Sequence, residues 1–398
     1  HIFSGSAVVD TKNSAGYGEN TMVAFYTSAS DKNGQIQCMA YSTDNGRTYT
    51  KYENNPVLVS EARDFRDPKV FWYEGTKRWI MVLAVGQEMQ FFSSPNLKDW
   101  TFESSFGKGH GAHGNVWECP DLFELPVEGT NEKKWVLLCS LGDGPFGDSA
   151  TQYFVGSFNG KEFVNESPSK TKWMDWGKDH YATVTWSNAP AGRAIALAWM
   201  SNWQYANDVP TSQYRSPNSV PRDLSLFTVD GETYLQSAPS PELLALRDAS
   251  KKRSFKVDGT RTIKEMIPGN DGAYEIELTI ENQRADVIGF RLYNDKGEEV
   301  DMQYDMKEKK FSMDRRKSGE VSFNENFPML TWTAIESGKD ELKLRLFVDK
   351  SSVEAFGDGG RFVMTNQVFP SEPYTHIDFY SKGGAYKVDS FVIYKLKK

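Results

Sequence analysis

The sequence predicts an all-β protein, a β-propeller followed by a β-sandwich. Three observations carry this expectation. Almost no stretch has helical periodicity, whereas short runs of β-branched and aromatic residues recur between Gly, Asn and Asp turns, the pattern of strands. A weak repeat of roughly 50–60 residues overlies the first part of the chain, a period at which four-stranded propeller blades recur. Beyond residue 251 the runs alternate strictly between apolar and polar residues, as in strands with one buried and one wet face.

The elements follow in order. Strands are expected over Thr21 to Thr27, Gln35 to Ser42, Lys69 to Tyr73, Trp79 to Val85, Met89 to Ser93, Trp135 to Ser140 and Ala194 to Met200. Four segments open a repeat with a small or polar residue: Ser4-Gly5-Ser6-Ala7, Asp67-Pro68-Lys69-Val70, Cys119-Pro120-Asp121-Leu122 and Tyr181-Ala182-Thr183-Val184. The first strand of a blade lines the central channel, so groups from different blades converge where these strands begin. Ser42-Thr43-Asp44-Asn45-Gly46 and Ser94-Pro95-Asn96-Leu97 read as outer turns of the Asp-box type or as ordinary Asn-Gly hairpins. Ser240 followed by Pro241 predicts a capped linker helix. Alternation resumes in Tyr274 to Ile280 and Leu342 to Val348. The expected domains are therefore a propeller over 1–238, a linker helix over 239–251 and a sandwich over 252–398.

Composition excludes several classes. The net charge is −8 and no basic stretch is long, which argues against a nucleic-acid partner. No run is long and apolar enough for a membrane-spanning helix. The three cysteines, Cys38, Cys119 and Cys139, have no metal-knuckle spacing and sit in apolar surroundings, so buried free thiols are expected. Aromatics reach 14%, enough to furnish rings for sugar stacking beyond those a β-core consumes.

Two carboxylates stand at strand starts. Glu118, between Trp117 and Cys119-Pro120, is a candidate acid whose pKa burial beside Trp117 would raise. Asp67, in Phe65-Arg66-Asp67-Pro68, is expected to stay ionised beside Arg66 and so to act as a fixed acceptor of hydroxyls. A carboxylate pair is what glycoside hydrolysis requires. Taken singly, each residue also reads as a surface Glu at a strand end or an Asp capping a turn.

Phe3-Ser4-Gly5-Ser6, Phe65-Arg66-Asp67-Pro68 and Trp117-Glu118-Cys119-Pro120, in that order, closely resemble glycoside hydrolase family 32, the invertase, inulinase and levanase family. Asp175-Trp176-Gly177-Lys178-Asp179-His180, Ala198-Trp199-Met200-Ser201-Asn202-Trp203, Arg215 to Leu224 and Leu346 to Phe356 agree with it, except that the family usually has Phe where His180 stands. The resemblance implies a five-bladed propeller and a retaining β-fructosidase needing no metal or cofactor. It implies Glu118 as acid/base, Asp67 as transition-state stabiliser, Arg66 as substrate-binding, Phe3 and Ser4 in the fructose subsite and Trp199 in the pocket wall. It implies a nucleophilic Asp in an Asn-Asp-Pro-Asn-Gly motif upstream of Phe3. That motif is absent, and Asp10, Asp44 and Asp121 stand in other contexts. The expectation is thus that most of blade one, and any secretion signal, precedes His1, and that this chain alone is inactive. The alternative is a non-catalytic sugar-binding propeller. The Trp203 to Thr211 stretch is similar to exo-acting inulinases and levanases, so exo-cleavage of inulin or levan, and of sucrose, is the expected activity outside the cell.

Overall fold

The computed structural model describes residues 1–267, 269, 271–335 and 341–397. It divides into two compact units, the first comprising His1–Asp143, Thr151–Lys172 and Ala182–Ala194, the second Gly144–Ala150, Trp173–Tyr181 and Ile195–Lys398.

In the first unit the strands run in sets of four. β1 (Ile2–Asp10), β2 (Thr21–Ser30), β3 (Gly34–Ser42) and β4 (Thr50–Lys51) form one antiparallel sheet in chain order. β5 (Phe65–Tyr73), β6 (Arg78–Val85), β7 (Glu88–Ser94) and β8 (Thr101–Phe106) form the next. β9 (Trp117–Pro126), β10 (Lys133–Gly142), β11 (Ser149–Phe158) and β12 (Phe163–Asn165) form a third. These are propeller blades. The central strands read as unbroken apolar runs because both faces are covered: Ile80, Met81, Val82 and Leu83 of β6 are all fully buried. Between the first two blades Val23, Phe25, Met39, Val70, Met81 and Leu83 make a common core. Hydroxyl and ammonium groups join the first strands of neighbouring blades. Ser6 Oγ donates to Pro68 O at 2.8 Å and accepts from the Val70 N–H at 2.9 Å, pinning β1 to β5.

The outer turns have the expected chemistry. Asp44 accepts from the N–H groups of Arg47 and Thr48 and from the hydroxyls of Ser42 and Thr48. Asn96 accepts from the N–H groups of Lys98 and Asp99 in the same place one blade on. Asn159, which the sequence reading passed over, does so in the third blade with Lys161 and Glu162. A short strand, β13 (Lys172–Trp173), and β14 (Tyr181–Thr185) follow.

In the second unit β15 (Ile195–Trp199), β16 (Arg222–Val229) and β17 (Glu232–Pro239) pair antiparallel in chain order. The linker is a 3₁₀ helix over Pro241–Leu246. Ser240 does not cap it; its hydroxyl donates instead to Asp223 at 2.6 Å. The remaining strands are β18 (Arg247–Val257), β19 (Thr260–Ile263), β20 (Tyr274–Asn282), β21 (Val287–Tyr293), β22 (Glu299–Asp305), β23 (Lys310–Lys317), β24 (Leu330–Ala334), β25 (Leu342–Asp349), β26 (Ser352–Gly357), β27 (Phe362–Gln367), β28 (His376–Lys382) and β29 (Tyr386–Leu396). They form two six-stranded sheets, β18-β29-β20-β25-β26-β27 and β19-β28-β21-β22-β23-β24, closed over one apolar core as a β-sandwich. The period of two is plain in β22, where Val300, Met302 and Tyr304 are buried and the residues between them are not.

A buried ionic network crosses this unit. Arg222, fully buried, donates to Asp175 and Glu354, both at 2.9 Å, and to the Thr365 hydroxyl at 2.6 Å. Arg315 donates to Asp179 and, at 2.8 Å, to the Tyr205 hydroxyl. Asp175 and Asp179, Arg222, and Glu354 come from three of the segments that carry the family resemblance, and all four residues lie in these networks.

Candidate active site

The site is built where β1, β5 and β9 begin. Gly5 is required there by contact: a Cβ at this position would lie 1.9 Å from the Phe25 carbonyl oxygen, so no larger residue lets β1 approach β2 this closely. Asp67 and Cys119 both adopt the left-handed conformation, with φ of 62° and 49°, and Ala182 repeats it at 53° in β14. The pairing of β5 with β6 slips between Arg66 and Lys69, and that of β10 with β9 slips between Leu138 and Ser140. Bulges of this kind re-aim side chains at the ends of strands and recur beside active sites.

The two central motifs meet across this bulged region. The guanidinium of Arg66 donates to Glu118 Oε1 from Nη2 at 3.0 Å and from Nε at 3.2 Å. Its Nη1 donates to Asp64 at 2.7 Å. Asp67 Oδ2 accepts the Cys119 N–H at 2.9 Å, and the Asp67 N–H donates to the Thr27 hydroxyl at 3.1 Å. Thr27 in turn donates to Gln37, whose amide donates to the Phe65 carbonyl. Asp67 is thereby gripped from β2, β5 and β9.

One expectation is corrected. Arg66 was taken as the cation that keeps Asp67 ionised, but its hydrogen bonds reach Glu118 on β9 and Asp64. Burial instead raises the Asp67 carboxyl above its ordinary value, outweighing the Cys119 N–H and Arg66. Glu118 itself is half-buried. Its neighbour Trp117 is fully buried, with its indole N–H on the Ala112 carbonyl and its ring against His113 and Phe154.

Beside this site, on the same strands, lies a group that sequence reasoning missed. Lys69 Nζ donates to Asp121 at 3.0 Å and to the Thr185 carbonyl at 2.9 Å, while Asp121 accepts the Thr185 N–H and hydroxyl at 2.6 and 2.7 Å. It ties β5, β9 and β14 together. The available signal was positional: Lys69 and Asp121 follow their Pro by one residue, as Ser6 follows Gly5. The other carboxylates set aside from the sequence are similarly committed, Asp10 to Ser14 and Ala15 and Asp44 to its turn.

A cavity of about 680 Å³ is lined by β1 from Ser4 onward, by Asp67 and by Cys119 and Pro120. Phe3 stands at the start of β1, 40% exposed, with its ring near that of His1. Trp199 belongs to the second unit, where its ring packs on Tyr181 and Trp203. All three cysteines are free. Among the described residues no cluster of His, Cys, Asp and Glu is arranged to hold a metal ion, and no helix is long and apolar enough to cross a membrane.

Residues 1–239 match the family description "Glycosyl hydrolases family 32 N-terminal domain" and residues 242–395 match "Glycosyl hydrolases family 32 C terminal". The chain is similar to a levanase of Bacillus subtilis, 45% identical over all of the chain and 60% of that protein, and to a levanase of Bacillus sp. strain L7, 38% identical over all of the chain and 46% of that protein. It thus spans about half to three-fifths of the length of these relatives. An extracellular exo-inulinase of Aspergillus niger is 33% identical over 96% of the chain and 78% of its own length. Among solved structures, the exo-inulinase of Aspergillus awamori superposes with a TM-score of 0.90 at 31% identity, covering all of the chain and 84% of that structure. A fructofuranosidase of Schwanniomyces occidentalis in complex with fructosylnystose does so with 0.89 at 33% identity, covering all of the chain and 83% of that structure. Matches across its whole length and at this identity show that the chain belongs to glycosyl hydrolase family 32.

Proposed function

We propose that this chain carries the fructosyl-binding and acid/base machinery of a retaining glycoside hydrolase that cleaves β-fructofuranosyl bonds in levan or inulin, exo-wise, and in sucrose. The observation that carries the reading is the meeting of Phe65-Arg66-Asp67-Pro68 with Trp117-Glu118-Cys119-Pro120 beside a cavity, through the Arg66–Glu118 and Asp67–Cys119 contacts. Membership of the family and similarity to levanases and exo-inulinases support it.

In this reading Glu118 protonates the departing glycosidic oxygen and then, as base, activates the water that releases fructose. Arg66 holds Glu118 and contacts substrate. Asp67 accepts hydrogen bonds from hydroxyls of the fructose ring, and its fixed geometry favours the flattened transition state over the ground state. Phe3 and Ser4 line the fructose subsite. Double displacement needs a further, nucleophilic carboxylate. Asp10, Asp44 and Asp121 are committed to other bonds, so these 398 residues by themselves should release no fructose. No cofactor enters the scheme. The propeller of 1–238 is the catalytic domain, the sandwich of 252–398 follows the 239–251 linker, and the enzyme acts outside the cell, as the exo-inulinase relatives are named to do.

The test is fructose release from levan, inulin and sucrose by the enzyme that carries this chain together with a nucleophilic carboxylate, with product anomers followed by NMR. Release of single fructose units with retained configuration supports the reading, and inversion or release from none of the three contradicts it.

A further inference from the structure

The outer face of one sandwich sheet has a layout that a merely solvated surface does not require. Strand registry aligns Thr260, Tyr380, Gly289, Gln303, Ser312 and Trp332 in a single row across β19, β28, β21, β22, β23 and β24. Their sequence neighbours Phe379, Phe290, Met302 and Phe311 point into the core, so this row points away from it. Tyr380 does not stand upright. A Cβ at Gly289 would lie 2.1 Å from the Tyr380 ring, so the ring lies flat on the glycine backbone and turns its other face outward. The phenol hydroxyl anchors it there, donating to Asp301 with both carboxylate oxygens at 2.8 Å. At the far end of the row Trp332 is 44% exposed, with the Lys310 ammonium 4.9 Å from its ring centroid. With adjacent strands about 4.8 Å apart, the two aromatic residues are roughly 19 Å apart along the row, with only small or amide side chains between them.

Around Tyr380 the sheet surface is concave, enclosing about 830 Å³, within the range of small-molecule sites. Its charges balance locally. Arg291 bridges Glu299 and Asp378, and Arg316 pairs with Asp314. Gln303 donates to Asp301 at 2.7 Å, which presents a planar amide and carboxylate side by side. Charge pairs that neutralise one another disfavour an anionic or cationic ligand. Flat aromatic faces flanked by planar hydrogen-bonding groups suit a ligand with C–H faces and vicinal hydroxyls.

We propose that this sheet face is a second, non-catalytic binding site for a neutral oligosaccharide chain, with the Tyr380 and Trp332 rings as stacking platforms. It rests on the proposed function only in naming fructans as the first probes.

The test is native affinity electrophoresis of the chain through gels containing levan, inulin or amylose, on an Arg66→Ala background that weakens the propeller site. Tyr380→Ala and Trp332→Ala should each weaken retardation about fivefold or more in apparent Kd, and Tyr380→Phe, which keeps the platform, by less than about twofold. Trp332 is exposed near the sheet edge, so its variant keeps the test open if Tyr380→Ala fails to fold. Retardation by amylose and not by fructans, lost in the same variants, would uphold this site and count against the fructan reading. Retardation unchanged in both alanine variants, or retardation by none of the three polysaccharides, would overturn the proposal.

Discussion

Arg66 donates from both Nε and Nη2 to the same oxygen of Glu118, at 3.2 and 3.0 Å, reaching from the start of β5 to the start of β9. This contact makes Arg66 a positioning group for the proposed acid as well as a substrate contact. Hydrogen bonds to charged groups contribute about 1.5–3 kcal/mol, so Arg66→Ala should lower kcat/KM by about 10- to 100-fold. Arg66→Lys should recover part of the substrate binding but not the kcat, because an ammonium cannot hold Asp64 and Glu118 from one planar fork. Steady-state kinetics on a soluble fructoside, in the enzyme that carries this chain together with a nucleophilic carboxylate, separates the two; equal kcat in Arg66→Lys and the parent would remove the positioning role.

Asp67→Asn, made in the same nucleophile-bearing enzyme, keeps the shape and removes the charge. Asn tolerates the left-handed conformation that position 67 adopts, so the fold should hold. The variant should lose kcat by more than it raises KM, since the lost interaction tightens in the transition state. A rise in KM with unchanged kcat would show that Asp67 only binds substrate.

Arg222 is fully buried between Asp175 and Glu354, and removing it leaves two carboxylates without their cation. Breaking a buried pair costs about 3–5 kcal/mol, so Arg222→Met should shift a denaturant midpoint by that equivalent. A change below about 1 kcal/mol would mean that the network relaxes around the loss.

His180 gives a pH prediction. Burial, with Arg222 close by, pushes its imidazole from 6.5 down to about 3. The folded state therefore keeps His180 neutral while the unfolded chain takes up a proton below 6.5. Its contribution is present above pH 6.5 and is lost as pH falls from there toward 3, at about 1.4 kcal/mol per pH unit. His180→Phe should flatten that part of the stability profile, measured by denaturant unfolding at a series of pH values. An unchanged slope between pH 6 and 4 would show that His180 is not its source.

The sequence was most legible where physical constraints are local. Period-two alternation marked β20 and β25, and the Asp44 turn was identifiable because its side chain satisfies N–H groups a few residues away. The strand starts were also legible, since Pro68 and Pro120 punctuate them. What sequence could not supply was partnership across blades. Arg66 looked like the partner of its neighbour Asp67 but reaches Glu118, 52 residues on, because blade packing brings the starts of β5 and β9 together. Lys69 was hidden for the same reason, its partners Asp121 and Thr185 lying on other strands. Ser240, a good capping residue by type, was drawn to Asp223 instead.

The central claim is that Glu118 is the acid/base of a fructosyl-transferring site. Glu118→Gln, in the enzyme that carries this chain together with its nucleophilic carboxylate, tests it most directly through fructose release from levan and inulin. A fall of about 10²- to 10⁴-fold in kcat, with an unchanged thermal unfolding profile, is the result predicted. Turnover within a few-fold of the parent would contradict the assignment.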